Sequence, residues 1–370
     1  FLSLGPLVFF GLLSYSFYLW HWVIFSCARY ITGELTWGLK LFLIAASVLL
    51  AAVTWVVVEN PIRHRWKASA RQTIVTLFIL PLVIFIGAAL VVDRFDGLES
   101  RISIKGPALE AFESKPAGLN SQCANEPEKL CGDVLLLGDS HAEHFGGFLK
   151  ILTDDAGLSL EGRTNRFCLP LYGLIPVREQ NRRSKSYKEC QSLVVQSINE
   201  INSQEFVVLS GYWSSPVLHP DSRFFVLGAE EPRSLASSLK NIERTLEDTV
   251  RRILDKGAIP VIILDNFAPT NEMFRCSVRK VVSNIASDCD TPLEQLYIQQ
   301  AWFRGLVSSM RFDFPELMVI DPNLVLCNDE VCLTALQGVP LYRDNDHLNG
   351  KGSIMLGERY LQTLGNPFSR

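Results

Sequence analysis

The sequence predicts an α/β fold: a three-layer domain built on a parallel sheet, preceded by about three transmembrane α-helices. Three observations carry this expectation. Long apolar runs are confined to residues 1–92. Beyond residue 132, short apolar runs alternate with helix-like stretches, the pattern of strands covered on both faces. A Gly-Asp-Ser-His run closes the first of those strands, and an Asp-x-x-His run lies near the end of the 370-residue chain.

The first part holds three segments suited to crossing a bilayer, at about residues 4–25, 37–58 and 73–92. Each is roughly 20 residues long, enough at about 1.5 Å per residue for a hydrocarbon core of about 30 Å. Trp20, Trp22 and Trp37 suit the membrane interface, and Pro81 is tolerated in a spanning helix. Buried core helices are the alternative, and three such runs in succession with so few charges argue against it. The basic residues Arg63, Arg65, Lys67 and Arg71 follow the second segment, against Arg29 alone after the first. By the positive-inside rule this places the later loop in the cytoplasm and everything after Val92 outside it. With no initiator Met, the chain is expected to be a piece of a longer one.

Cysteine usage agrees with that direction. Cys27 lies in the membrane part, and Cys123, Cys131, Cys168, Cys190, Cys276, Cys289, Cys327 and Cys332 follow the last segment. Eight cysteines in an extracytoplasmic domain suggest disulfides, and neighbours in sequence are near enough to pair, although connectivity stays open. Zinc binding would need a second C-x-x-C-like pair, which is absent. The net charge of −4 argues against a nucleic-acid binder.

Residues 93–132 read as a polar connector and 133–370 as the soluble catalytic domain. Strands are expected at about 133–137, 158–161, 206–210, 259–264 and 317–320. Leu235, Leu239, Ile242, Leu246, Val250 and Ile253 keep one apolar helical face, which Gly257 ends. In such a sheet ligands bind beyond the carboxyl ends of the strands.

Ser140 follows the first strand at once, where a helix begins and backbone N–H groups are free to face a developing oxyanion. Asp and Ser there are also ordinary helix caps. The second element is Asp344-Asn345-Asp346-His347. A three-residue spacing aims the Asp344 carboxylate at Nδ1 of His347 and leaves Nε2 to take the serine proton. Asp346 is the competitor, read as a solvated or capping residue. Among the six histidines, His21 and His64 belong to the membrane part. His141 and His144 sit awkwardly for reaching back to Ser140, and His219 has no acidic partner at matching spacing. A metal site from Asp139, His141 and His144 lacks a fourth ligand, so no metal is expected.

Two resemblances add to this reading. Tyr15-Ser16-Phe17-Tyr18-Leu19-Trp20-His21-Trp22 and Glu59-Asn60-Pro61-Ile62-Arg63 resemble the last two helices of the membrane acyltransferase-3 family, which moves acyl groups onto surface carbohydrates. The order Ser, Asp, His, with the last two three apart, resembles the SGNH (GDSL-like) hydrolases over about residues 133–365. No G-x-S-x-G elbow surrounds Ser140, which disfavours the α/β-hydrolase alternative. The SGNH resemblance implies further oxyanion donors after the second and third strands. Gly162 is near the former position, Gly211 is a second donor at the latter, and Trp213 stands where the family has Asn. Trp213 could shape a sugar site or pack beneath the sheet.

Together the resemblances imply an O-acetyltransferase at the bacterial inner membrane, with its SGNH domain in the periplasm. Acetyl derived from acetyl-CoA would be handled by the membrane domain, with no cofactor bound in this chain. The expected acceptor is a surface polysaccharide, lipopolysaccharide O-antigen or peptidoglycan, next to the lipid bilayer. A tethered carbohydrate acetylesterase and a non-catalytic glycan-binding module are the alternatives.

Overall fold

The computed structural model describes residues 5–32, 35–65, 67–95, 110–111, 114, 132–166, 168–177, 185–218, 223–226, 234–270, 273–278 and 289–369. The chain divides into two compact units, Phe1–Ser103 and Ile104–Arg370.

The first unit is helical. Helix α1 spans Gly5–Thr32, and α2 (Trp37–His64) and α3 (Ala70–Arg94) follow. Among the described residues, α2 and α3 are the two helices long and apolar enough to cross a membrane. The described part of α1 is more polar, carrying Ser14, Tyr15, Ser16, Tyr18 and His21. Leu4, where the first predicted segment begins, lies outside the described residues. Both α2 and α3 contain one π-helical turn, at Trp55–Glu59 and Val75–Ile79. α1 packs on α2 through two polar contacts: Trp20 Nε1 donates to Thr54 Oγ1 at 2.9 Å, and Ser16 Oγ donates to Glu59 Oε1.

The second unit is built on five parallel strands: β1 (Val134–Gly138), β2 (Leu160–Thr164), β3 (Phe206–Ser210), β4 (Ile259–Ile263) and β5 (Met318–Ile320). Their order is β2-β1-β3-β4-β5. All five strands predicted from apolar runs are present, with β2 displaced toward the C-terminus by its more polar residues. Because side chains alternate across a strand, Leu135, Leu137, Val207, Leu209 and Ile262 pack on one face. That face is covered by α6 (Lys185–Asn199), α7 (Leu235–Asp255) and α8 (Leu293–Asp313). Val134, Leu136, Phe206, Val208, Val261 and Ile263 pack on the other, beneath α5 (Gly146–Ala156) and α9 (Gly350–Leu364). Three layers result.

The strand order reverses direction at β1 and β3, so their carboxyl ends open a crevice between the diverging connections. Close approach there requires glycine. A Cβ on Gly138 would stand 1.7 Å from the Ser210 carbonyl oxygen and 2.6 Å from the Ala142 Cβ. The turn from β1 into α4 (Ser140–His144) therefore presses directly on the end of β3.

Part of the predicted connector packs on this unit. Ser114 accepts hydrogen bonds from the Gly350 and Lys351 N–H groups, at 3.2 and 2.9 Å, and Glu110 pairs with the Lys351 ammonium at 2.9 Å. Among the described residues three disulfides are present, Cys168–Cys190, Cys276–Cys289 and Cys327–Cys332, each between neighbours in sequence. Cys123 and Cys131 lie outside the described residues.

Candidate active site

Ser140 is the first residue of α4, and the preceding Asp139 caps it by accepting the His141 N–H through Oδ1 at 2.8 Å. Oδ2 of the same carboxylate accepts the Tyr212 N–H at 2.9 Å, beyond the end of β3. One buried side chain thus fixes the serine turn against the 211–213 turn. Burial raises the Asp139 carboxyl to about 6, even though both N–H groups favour its charged form.

The second half of the site arrives from the far end of the chain. Tyr342 bridges Leu348, and the Arg343 N–H donates to the His347 carbonyl at 3.0 Å. Residues 343–347 therefore form a closed loop, which Asn349 joins to α9 by accepting the Gly352 N–H at 2.7 Å. Inside the loop, Asp344 Oδ1 accepts the backbone N–H groups of His347 and Asp346, at 2.7 and 3.1 Å. These bonds orient the carboxylate toward the ring.

The two halves meet at the imidazole. Ser140 Oγ lies 2.8 Å from His347 Nε2, and His347 Nδ1 lies 3.0 Å from both oxygens of Asp344. Desolvation alone would lower the His347 pKa, but hydrogen bonds and charge from Asp344 and Asp346 raise it to about 9. The Asp344 carboxyl is held well below its ordinary range, because its hydrogen bonds outweigh partial burial. A ring placed in this way can take the Ser140 proton at Nε2 while Nδ1–H stays on the carboxylate.

On the α4 side the surroundings are buried. His141 and His144 are each 1% exposed, and burial holds both well below the ordinary imidazole range, so they are neutral. Tyr212 stacks flat on His141, with ring centres 4.3 Å apart. Asp265, at the end of β4, accepts the N–H groups of Trp213 and Ser214 at 3.1 and 2.6 Å, and burial raises its carboxyl to about 7.

The structure therefore brings Ser140, Asp344, His347 and Gly211 to one place. Among the described residues, the N–H groups of Ser140 and Gly211 meet no acceptor. Trp213 requires a correction. Its side chain is 1% exposed, its indole N–H donates to the Ile263 carbonyl at 2.9 Å, and its ring stacks on Phe303 at 4.5 Å. It packs beneath the sheet, shielded from solvent. Gly162 pairs with Leu136 inside β2, away from the strand end. His219 lies outside the described residues. Asp346 is not merely a solvated or capping residue: its Oδ1 stands 2.7 Å from His347 Nδ1. His141, Asp346 and His347 have ligand-type atoms within 4.8 Å of one another, but both His347 nitrogens are engaged by Ser140 and Asp344. Asp139, from the other metal set considered, is committed to backbone N–H groups.

A family model described as the SGNH domain fused to AT3 domains matches residues 110–362, more than half of the chain. The chain belongs to this family. The match starts at Glu110, so the SGNH domain takes in the part of the predicted connector that packs on α9. Among curated relatives, the O-acetyltransferase OatA of Staphylococcus aureus (strain MRSA252) is 31% identical over 111 residues. That alignment covers 26% of this chain, which spans 18% of the relative's length. OatA of strain NCTC 8325 / PS 47 is 30% identical over the same extent. The periplasmic domain of the Salmonella ser. Paratyphi A lipopolysaccharide acetyltransferase is 17% identical, with a TM-score of 0.47, covering 69% of this chain and 93% of that one.

Proposed function

We propose that the SGNH domain transfers an acetyl group to a hydroxyl of a surface polysaccharide through an acyl-enzyme on Ser140. The observation that carries this reading is His347, with Nε2 2.8 Å from Ser140 Oγ and Nδ1 3.0 Å from Asp344. In the first half-reaction Ser140 Oγ attacks the acyl carbonyl, and its proton passes to His347 Nε2. The Ser140 and Gly211 N–H groups receive the oxyanion. Collapse breaks the bond to the donor's leaving group, which takes the proton from His347, and leaves acetyl-Ser140. In the second half a sugar hydroxyl gives its proton to His347 and attacks the same carbonyl. The ester moves to the sugar, and the proton returns to Ser140.

The relatives named O-acetyltransferase, together with the AT3 fusion in the family's description, favour transfer over simple hydrolysis. The membrane domain would present acetyl taken from acetyl-CoA, and the acceptor would be lipopolysaccharide O-antigen or peptidoglycan. Arg63, Arg65, Lys67 and Arg71, lying in or between the ends of α2 and α3, favour a cytoplasmic position for that turn. Three disulfides favour an oxidising compartment for the SGNH domain, the periplasm.

The acyl-enzyme is tested by incubating the full chain in detergent with 4-nitrophenyl acetate, an activated acetyl ester, and weighing the peptide that contains Ser140. Acetyl on that peptide, absent in Ser140→Ala, is expected. Unmodified Ser140 during active turnover would overturn the mechanism.

A further inference from the structure

Asp344 is not the only carboxylate on His347. Asp346 Oδ1 lies 2.7 Å from Nδ1, nearer than either oxygen of Asp344 at 3.0 Å. Asp344 accepts the ring hydrogen bond, while Asp346 stands beside the same nitrogen as a second negative charge. It is also the more shielded of the two: its side chain is 20% exposed, against 42% for Asp344. The Arg343 guanidinium lies 3.7 Å from Asp344 and offsets part of that charge. Water and a nearby cation both weaken a carboxylate's field, so Asp346 exerts the less screened one. Its backbone is fixed as well, because its N–H donates to Asp344 Oδ1 at 3.1 Å and its carbonyl accepts the Asn266 amide at 3.1 Å.

We propose that Asp346 is a positioning residue that acts through His347, stabilising the imidazolium formed when Ser140 gives up its proton. The proposal rests on the reading of Ser140 and His347 given above. The proton moves from Ser140 Oγ to His347 Nε2, and the ring becomes a cation flanked by two carboxylates. It later gives the same proton to the leaving group, so no other reactant is needed. The same charge has a second effect: it holds a proton on the resting ring over a wider pH range, and only the neutral ring can accept one from Ser140. Asp346 therefore sets where the ascending limb of the pH–rate profile lies.

Among the described residues, the groups facing His347 are few. Its own loop supplies Asp344, Asp346 and Arg343. From α4 come Ser140, His141 and His144, the two rings centred 4.8 and 5.8 Å away. Asp139, Tyr212 and Asp265 lie behind His141.

The test is the pH dependence of kcat/KM for 4-nitrophenyl acetate, measured on the full chain in detergent. Removing the Asp346 charge favours the neutral ring, so in Asp346→Asn the ascending limb moves to lower pH by about one unit or more. In Asp346→Glu the charge is kept and the limb returns toward the wild-type position. Should the Asn variant not fold, Asp346→Ser takes its place. An Asn or Ser limb that coincides with wild type overturns the proposal, as does a Glu limb displaced as far as the Asn limb. Ser140→Ala separates the two levels of inference. Persisting turnover in it overturns the reading of the site and the proposal together, whereas lost turnover with an unmoved Asp346→Asn limb overturns the proposal alone.

Discussion

Asp139 and Tyr212 join the ends of two parallel strands: the Asp139 carboxylate that caps the nucleophile helix also accepts the Tyr212 N–H at 2.9 Å. Through this one buried side chain, the Ser140 and Gly211 N–H groups are held in a fixed relation. Asp139→Asn keeps the shape but turns an amide N–H toward one of the two backbone donors. Loss of that bond in a buried setting costs about 1–3 kcal/mol. The expected result is a lower Tm and a lower kcat, both read on the purified full chain. Unchanged kcat with a lowered Tm would show that Asp139 supports the fold alone.

Gly211→Ala probes the same crevice. A Cβ there would stand 2.8 Å from Leu169 Cδ2 and 3.3 Å from Pro170 Cδ, both in the tightly packed loop after β2. Under the proposed mechanism, whatever part of that contact the packed Leu169 side chain does not relieve shifts the Gly211 N–H away from the oxyanion, and displacements on the order of 1 Å can cost about 10²-fold in rate. We expect kcat for 4-nitrophenyl acetate to fall by about 10- to 100-fold while circular dichroism keeps the folded spectrum. A wild-type rate would remove Gly211 from the site.

Cys168–Cys190 closes a loop of 22 residues and ties that Leu169 segment to α6. Loop-closure entropy gives it roughly 3 kcal/mol, or a Tm change of roughly 10 °C for a domain of this size. Replacing both cysteines by serine is expected to lower the Tm by about that amount. Comparison of the unfolding curves of the two proteins checks it.

The stability of the domain should also fall between about pH 7 and pH 9. The folded His347 pKa is raised to about 9 from an ordinary value of 6.5, so its stabilisation is fully present below 6.5 and is lost as pH rises through 9. Asp265, whose carboxyl burial raises to about 7, is half-ionised at that pH, so its own contribution levels off in the lower half of this window and the His347 slope is read above it. Asp344→Asn removes the main partner of the ring and should flatten the slope. Thermal melts at several pH values, with and without the substitution, measure this directly.

Much of the fold and half of the site could be read from local pattern. The strands are continuous apolar runs, and α7 announces itself by its one-sided spacing. Ser140 and the Asp344–His347 pair are legible because each rests on a short motif whose spacing fixes its geometry. Trp213 and Asp346 are not legible in this way. Whether an indole faces the crevice or Phe303 is decided by α8, some 90 residues later in the chain. Whether Asp346 meets water or Nδ1 depends on Asn266 and on the closed 343–347 loop, which bring its carboxylate inward. The capping role of Asp139 was foreseeable, but its grip on Tyr212 required the strand order.

The placement of Trp213 carries its own expectation. Trp213→Phe leaves the buried Ile263 carbonyl without its donor, at a cost of about 1–3 kcal/mol. The Tm should fall while KM for the acceptor stays unchanged. A raised acceptor KM at constant Tm would return this residue to the substrate site.

The function proposed for Ser140 is to carry acetyl to a surface polysaccharide. It is tested most directly by the O-acetyl content of that polysaccharide in cells carrying the full-length protein or its Ser140→Ala variant, matched for expression and membrane insertion. Lower acetylation in the variant is expected. Equal acetylation would take Ser140 off the transfer path, and higher acetylation would mean that the domain removes acetyl groups and would contradict the transfer.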